Sequence, residues 1–226
     1  MAFNDPYEAT NRAIFEATVL PADRALLRPA GQAANQLPPE LTDTIVNFSD
    51  NASLPGMVVN GLLQGDIGGA GTNAMRFIVN TLVGVGGLLD PADAIGLFEE
   101  KTDFGETLAV WGVPEGAFIM VPVLGPYTER DAAGEIVDIF LDPLSSWGTE
   151  TQDAYSTAAR VGEIVVERGR FSDTADSIFY ESADPYAQAR LLYLQNRRFE
   201  LGEAAGNPTS TEEIDPFIDP FAEPFQ

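Results

Sequence analysis

The chain has 226 residues, enough for one large domain or two small ones, and 45% of them are hydrophobic, which supports a substantial core. Acidic residues outnumber basic ones 35 to 12, a net charge of −23, which disfavours nucleic acid as a partner and any attraction to anionic lipid through basic patches. With no cysteine and no histidine, disulfides, thiol nucleophiles, zinc sites of the usual Cys/His kind and a Ser-His-Asp triad are excluded.

The start, Met1-Ala2-Phe3-Asn4-Asp5, has no basic region followed by an apolar one, so no signal peptide is expected there. Asn4-Asp5-Pro6 reads as a helix cap with proline at the first helical position. The helix it opens is predicted to run from Tyr7 to Leu20 and to break at Pro21, with a short piece from Arg24 to Arg28 ending before Pro29. Pro38-Pro39 forms a stiff corner. A second helix is expected over Glu40–Phe48, with Leu41, Ile45 and Phe48 on one stripe, then a turn at Leu54-Pro55-Gly56 and a further helix from Met57 to Leu63.

Asn60 to Asp93 is rich in glycine and contains a 13-residue uncharged run, Phe77 to Leu89, closed by Asp90-Pro91. Met75 to Val83 is long enough for a short apolar helix, which Gly84, Gly86 and Gly87 then stop. An apolar helix that ends in a glycine knot and carries Arg76 and Asn80 suits either a buried segment or one that enters a bilayer part way and turns back. Pro91 to Phe98 is a possible amphipathic helix, and Asp103-Phe104-Gly105-Glu106-Thr107 starts another element ending near Gly112. A second 13-residue uncharged run, Gly116 to Thr128, holds Pro122 and Pro126, so it is extended or re-entrant rather than helical. Thr128-Glu129-Arg130-Asp131 reads as a helix N-terminus. The pairs Ala132/Ala133, Ile136/Val137 and Phe140/Leu141 then give that helix a clean apolar face ending at Asp142-Pro143.

Thr149 to Arg168 is the clearest helix, with Ala154, Ala158, Val161 and Val165 as its stripe and Gly169 as its stop. Ser172 or Asp173 caps a piece running toward Tyr180. Asp184-Pro185 opens the last helix, closed by Gly202. From Glu203 the chain is acidic and Pro-rich, with Asp215-Pro216-Phe217, Asp219-Pro220-Phe221 and Glu223-Pro224-Phe225 recurring every four residues. Such a tail is expected to be disordered or polyproline-like. The organisation expected is therefore all-α, one helical domain over 4–202 and a tail over 203–226. No run of 18 uncharged apolar residues is present, so a simple spanning helix is excluded.

The motifs for chemistry are weak. Gly65 to Thr72 lacks the Lys-Ser/Thr pair and the preceding strand of a phosphate loop, and Asp90 to Asp93 is off the pattern of an EF-hand. No cofactor or metal is expected. Nothing singles out two carboxylates for a hydrolase, and no enzyme activity is expected.

Many short pieces, in order, resemble the MlaA (VacJ) family. They are Asn4-Asp5-Pro6-Tyr7-Glu8 with Asn11-Arg12 and Phe15, then Asn47-Phe48 with Asn51 and Pro55, then Asn60 with Leu63-Gln64-Gly65-Asp66. Arg76-Phe77, Asn80-Thr81, Gly84, Gly86-Gly87 and Asp90 follow, then Asp103-Phe104-Gly105, Thr107-Leu108 and Trp111-Gly112-Val113. Gly125, Arg130-Asp131, Gly134 and Asp138 come next, and Asp184-Pro185-Tyr186, Arg190 and Tyr193-Leu194-Gln195 close the set. The resemblance implies a ring of helices in the inner leaflet of a Gram-negative outer membrane, with a central polar channel. It implies that misplaced outer-leaflet phospholipid passes through and reaches a soluble periplasmic lipid carrier. Trimeric porins are the implied membrane partners. Members usually carry a lipidated N-terminal cysteine after a signal peptide, and this sequence has none. The Phe-rich tail is not part of the family pattern; it solubilises or docks, and the alternative function is a soluble helical scaffold that uses it.

Under that resemblance, Asn47 and Phe48 are candidates for a helix–loop joint near the pore, and Arg76 and Asn80 for its polar lining or gate. An unpaired arginine at mid-membrane costs roughly 2.5–3.5 kcal/mol, so Arg76 is expected to face the channel or a carboxylate, with Asn80 one turn away. Phe77, Ile78, Leu82, Val83, Leu88, Leu89, Phe118, Ile119 and Val121 are the candidates for bilayer-embedded positions. Arg130 and Asp131 are expected to hold the start of their own helix.

Overall fold

A computed structural model describes residues 4–141 and 150–202 of the chain. The first 27 helical residues, 8–34, run unbroken. The α-helical segments α1 (Glu8–Ile14), α2 (Leu20–Ala22) and α3 (Arg28–Ala34) alternate with wide π turns over Phe15–Val19 and Asp23–Leu27. The predicted break at Pro21 does not occur. Pro21 and Pro29 each directly follow the first residue of a new α segment, after a π turn, where the missing N–H and the ring are tolerated. The expected cap at Asn4-Asp5 is also absent. Tyr7 precedes α1 with no side-chain cap, and Asp5 instead accepts hydrogen bonds from Asn11, Tyr186 and Arg190.

α4 (Pro39–Gln64) is one 26-residue helix through Pro55, where a turn was expected, and it ends in a left-handed Gly65. α5 (Ile67–Leu82) starts eight residues before the apolar segment that announced it, capped by Asp66, whose carboxylate accepts from the Gly69 N–H. Then come α6 (Pro91–Ala94) and α7 (Phe104–Val110), each capped by the preceding aspartate, and an antiparallel hairpin of β1 (Phe118–Val121) and β2 (Gly125–Thr128). This hairpin is the extended alternative for the second uncharged run, and it qualifies the all-α expectation. α8 (Glu129–Leu141) opens as anticipated: Thr128 Oγ accepts from the Asp131 N–H at 3.1 Å and donates to its carboxylate at 2.7 Å. α9 (Glu150–Arg170), α10 (Ser172–Asp176), a π turn over Ser177–Glu181 and α11 (Pro185–Glu200) complete the described chain. The Asp142-Pro143 stop, Thr149 and the 203–226 tail lie outside the described residues.

Contacts between elements close a circuit. α4 packs on α9, α9 on α3, α1 on β1, β2 on α8, α8 on α7 and α7 back on α4, with α5 laid along α4. The apolar core sits at one place in this circuit. Phe15, Val19, Phe118, Met120, Tyr186 and Leu194 pack together, with Phe15 and Phe118 both edge-on to Tyr186. Asn11 fixes the hairpin to this core: its amide donates to the Phe118 carbonyl and accepts from the Met120 N–H, both at 3.0 Å.

The apolar stripes read from periodicity are buried only in part on two helices, where Ile45, Phe48 and Val165 are half-buried. Leu41 is exposed while Thr42 and Ser49 are buried. On α9, Ala154, Ala158 and Val161 are exposed while Ala159 and Val166 are buried. Gly169 does not stop α9, which continues to Arg170. It is instead the point where α9 crosses α3, since a Cβ there would lie 2.5 Å from the Gly31 carbonyl oxygen. Gly169→Ala should therefore push the two backbones apart and lower stability by about 1–3 kcal/mol in chemical denaturation.

Candidate functional site

α4 and α5 are helices turned inside out. Their buried apolar side chains are Leu54 and Ala70, whereas Thr42, Ser49, Asn51, Asn60, Asn73, Arg76 and Asn80 are all buried. Large apolar side chains face outward instead, with Leu82 77% exposed and Leu62, Ile67, Met75 and Ile78 also in the open. The apolar face of α8 does the same: Ile136, Ile139 and Phe140 (74%) are exposed, while Arg130, Asp131 and Gly134 are buried. Burial normally runs the other way, since leaving a large apolar side chain in water costs roughly 1.5–3 kcal/mol.

The buried face of α5 works as a ladder. Asn73, Arg76 and Asn80 follow at helical spacing and grip the segment 90–100. The Asn73 amide donates to the Glu100 carbonyl at 2.8 Å and accepts from its N–H at 3.1 Å. Arg76 donates to the Leu97 carbonyl and pairs with Asp90 at 2.7 Å. Asn80 donates to the other Asp90 oxygen at 2.9 Å and accepts from the Ala92 N–H. Burial works against the Asp90 charge, yet the Asp93 N–H, Asn80 and Arg76 outweigh it and hold its carboxyl below the usual range. The expectation that Arg76 meets a carboxylate is met. Its placement as a lining or gate residue is not, because at 4% and 3% exposure Arg76 and Asn80 offer no surface to a passage.

Asn47 and Phe48 lie in the interior of α4, not at a helix–loop joint. Asn47 stands beside the glycine loop that follows α5, where Val85, Gly86 and Gly87 all take positive φ. The Asn47 amide is 3.5 Å from the Leu88 carbonyl, and Gly87 abuts Asn51 so closely that a Cβ would sit 2.5 Å from the Asn51 amide nitrogen. Of the bilayer candidates, Ile78, Leu82, Val83, Leu88 and Leu89 are exposed, and Phe77, Ile119 and Val121 are partly so. Phe118 is corrected: at 1% exposure it belongs to the core, because the strand turns it toward Tyr186. Arg130 and Asp131 are buried at the head of α8, with Asp131 also bound by Tyr193 at 2.7 Å and Arg197 at 3.2 Å.

The ladder also delivers Glu99 and Lys101 to α4 and α9, a cluster that sequence reasoning missed because it draws on three segments far apart along the chain. Asp50 of α4 meets Glu99, Lys101, Glu163 and Glu167 there, and Ser49 donates to Glu163 at 2.6 Å. Burial first, then Glu99 and Glu163, push the Asp50 carboxyl up to about 7 against the opposing pull of Lys101.

Two outcomes follow. Arg76→Met strands Asp90 and should lower stability by about 3–5 kcal/mol in urea titrations. Asp50 ionises near 7 folded and near its ordinary 3.8 unfolded, so between those values the folded chain holds the extra proton and loses stability as pH rises. Asp50→Asn should raise the melting temperature at pH 8 and leave it almost unchanged at pH 4, read by circular dichroism.

The family model described as MlaA lipoprotein matches residues 3–200. The intermembrane phospholipid transport system lipoprotein MlaA of Escherichia coli is 31% identical over 200 residues, covering 87% of this chain and 78% of that protein. The protein of the same name from Haemophilus influenzae is 29% identical over 206 residues, covering 88% and 80%. A solved structure reported as the structural basis for maintenance of bacterial outer membrane lipid asymmetry superposes with a TM-score of 0.73 at 33% identity, covering 87% of this chain and 98% of that one. With its ring of contacts, its inverted helices and these relatives, the chain belongs to the MlaA lipoprotein family.

Proposed function

We propose that this protein takes part in intermembrane phospholipid transport, removing misplaced phospholipid from the outer leaflet of the outer membrane and passing it to a soluble periplasmic carrier. The observation that carries the reading is the reversed polarity of α4, α5 and α8. Water gives no reason to turn leucine outward and asparagine inward, whereas a lipid surround does. The outward positions Ile78, Leu82, Val83, Leu88 and Leu89 would contact acyl chains in the periplasmic leaflet, with a trimeric porin as neighbour. Among the described residues no helix is long and apolar enough to cross a membrane. That fits a ring seated in one leaflet.

The energetic task is set by the cargo. At about 0.8 kcal/mol per CH₂, exposing both acyl chains of a phospholipid to water costs on the order of 20 kcal/mol or more. A protein that keeps the tails in apolar surroundings and gives the head group a polar path avoids that penalty. Asn47 and Phe48 remain candidate adjusters of such a path, since the Asn47 amide lies beside the glycine loop at the Leu88 carbonyl.

Reconstitution in asymmetric vesicles with a competent carrier tests this. Labelled phospholipid should move to the carrier only when the protein is present, and its failure to move would overturn the reading. Leu82→Asp with Leu89→Asp should weaken vesicle binding at least tenfold in flotation assays while leaving the helical circular dichroism intact. Unchanged binding would remove these positions from the membrane face.

A further inference from the structure

Every arginine but one has a carboxylate within ion-pair distance. The exception among the described residues is Arg24, exposed in the π turn Asp23–Leu27. Its neighbours three and four positions away are Pro21, Leu27, Leu20 and another arginine, Arg28, so no acid serves it along the helix. In a chain with 35 acidic groups, an arginine without one stands out.

An aromatic ring holds Arg24 instead. Its guanidinium lies 5.3 Å from the centre of the Tyr180 ring, and that of Arg28 lies 4.7 Å from it. Tyr180 belongs to the π turn Ser177–Glu181, so two widened turns meet here, and such turns recur at functional sites. The ring is itself fixed. Its hydroxyl donates to Asp23 at 2.6 Å, and Arg168 donates to both oxygens of the same carboxylate. Asp176 is occupied too, by Arg28 on one oxygen and Arg168 on the other. Three guanidinium groups therefore share two carboxylates, which leaves one positive charge in excess. The exposed Glu181 beside Tyr180 pairs with none of them among the described residues. Arg24 keeps all its donors, and Arg28 keeps Nη1, since its Nε and Nη2 both go to Asp176.

Like charges four residues apart on a helix repel, and one shared anion turns that repulsion into two attractions. A carboxylate has two oxygens, which a single guanidinium fork saturates, whereas a tetrahedral phosphate has further oxygens for a second arginine. Leu26 of the same turn is 67% exposed, so apolar surface adjoins the cations. The net charge of −23 disfavours a free polyanion or an anionic membrane, but a zwitterionic headgroup carries its phosphate without net charge and is not held off. We propose that Arg24 and Arg28, seated on Tyr180, bind the phosphate of a zwitterionic phospholipid headgroup. Stacking holds both guanidinium groups in place before the ligand arrives, which lowers the ordering cost of capture. The site concerns headgroup capture alone and stands apart from transfer to a carrier.

NMR of isotope-labelled arginine side chains, on the full chain in an uncharged detergent without phosphate, reads the site directly. Dihexanoylphosphatidylcholine should shift the Nε–H signals of Arg24 and Arg28 saturably. Arg24→Gln, at an exposed position, should weaken that binding about tenfold. Tyr180→Leu, which keeps both charges, should weaken it several-fold, a loss that simple charge attraction would not give. Inorganic phosphate and acetate should each bind more weakly than the lipid. Absence of a saturable shift overturns the proposal, as does a lipid affinity that either substitution leaves unchanged. Inorganic phosphate or acetate binding as tightly as the lipid also overturns it, in favour of a general anion site. A chain that captures headgroups here and moves no lipid to a carrier would remove the transport reading alone. One that moves lipid with no shift at Arg24 would remove this site alone.

Discussion

The pairing of Arg76 with Asp90, braced by Asn80, is the contact on which the middle of this molecule depends. It is nearly dry on the arginine side, and it ties the far end of α5 to a segment with little helix of its own. Without it, only Asn73 at Glu100 and Asn80 at Asp90 and Ala92 would tie residues 90–100 to α5. The glycine loop before Asp90 would lose the ionic part of its downstream anchor. A buried ion pair is weak evidence for stability as such, because desolvating both charges offsets much of their attraction. Its contribution here is to select one arrangement of an otherwise irregular stretch.

The same logic recurs around the ring. Arg168 binds Asp23 and Asp176, Arg12 binds Glu8 and Asp184, and Arg197 joins Asp103 to Asp131. Each joins one element to another, and Arg12 and Arg197 also reach along their own helices to Glu8 and Glu200. With 35 acidic groups and few cations, the fold places arginine where elements meet. Their planar, forked donors suit two carboxylate oxygens at once. What the apolar core does for an ordinary helical domain is shared here between a small aromatic cluster and these clamps.

The helix starts were legible because they are chemical. Asp90, Asp103, Thr128 and Asp184 announce themselves by a side chain that reaches its own backbone three residues on. The start of α5 was missed although Asp66 carries the same signal, because Gly68, Gly69 and Gly71 argue for a loop by propensity. Pro21, Pro29 and Pro55 misled in the opposite direction. The apolar stripe of α4 predicts its buried side only in part for a deeper reason. Assigning the apolar side of a helix to the interior presupposes water outside, and on α4 and α5 that presupposition fails. The family resemblance pointed to the inversion, but composition and periodicity could not say which asparagines would be buried. Arg76 was correctly expected to find a carboxylate, yet only the path of the 90–100 segment shows that the guanidinium itself is buried against it.

One small feature has wider reach. The Asn11 amide occupies the outward N–H of Met120 and the outward carbonyl of Phe118, and the carbonyl of Asn4 takes the Phe118 N–H. A two-stranded hairpin in an exposed, leucine-rich protein would otherwise present a free edge on which a neighbouring chain could build cross-strand order. By giving that edge to a side chain that imitates a strand, the molecule can keep a greasy exterior in crowded surroundings without offering its own backbone as a seed for fibrous assembly.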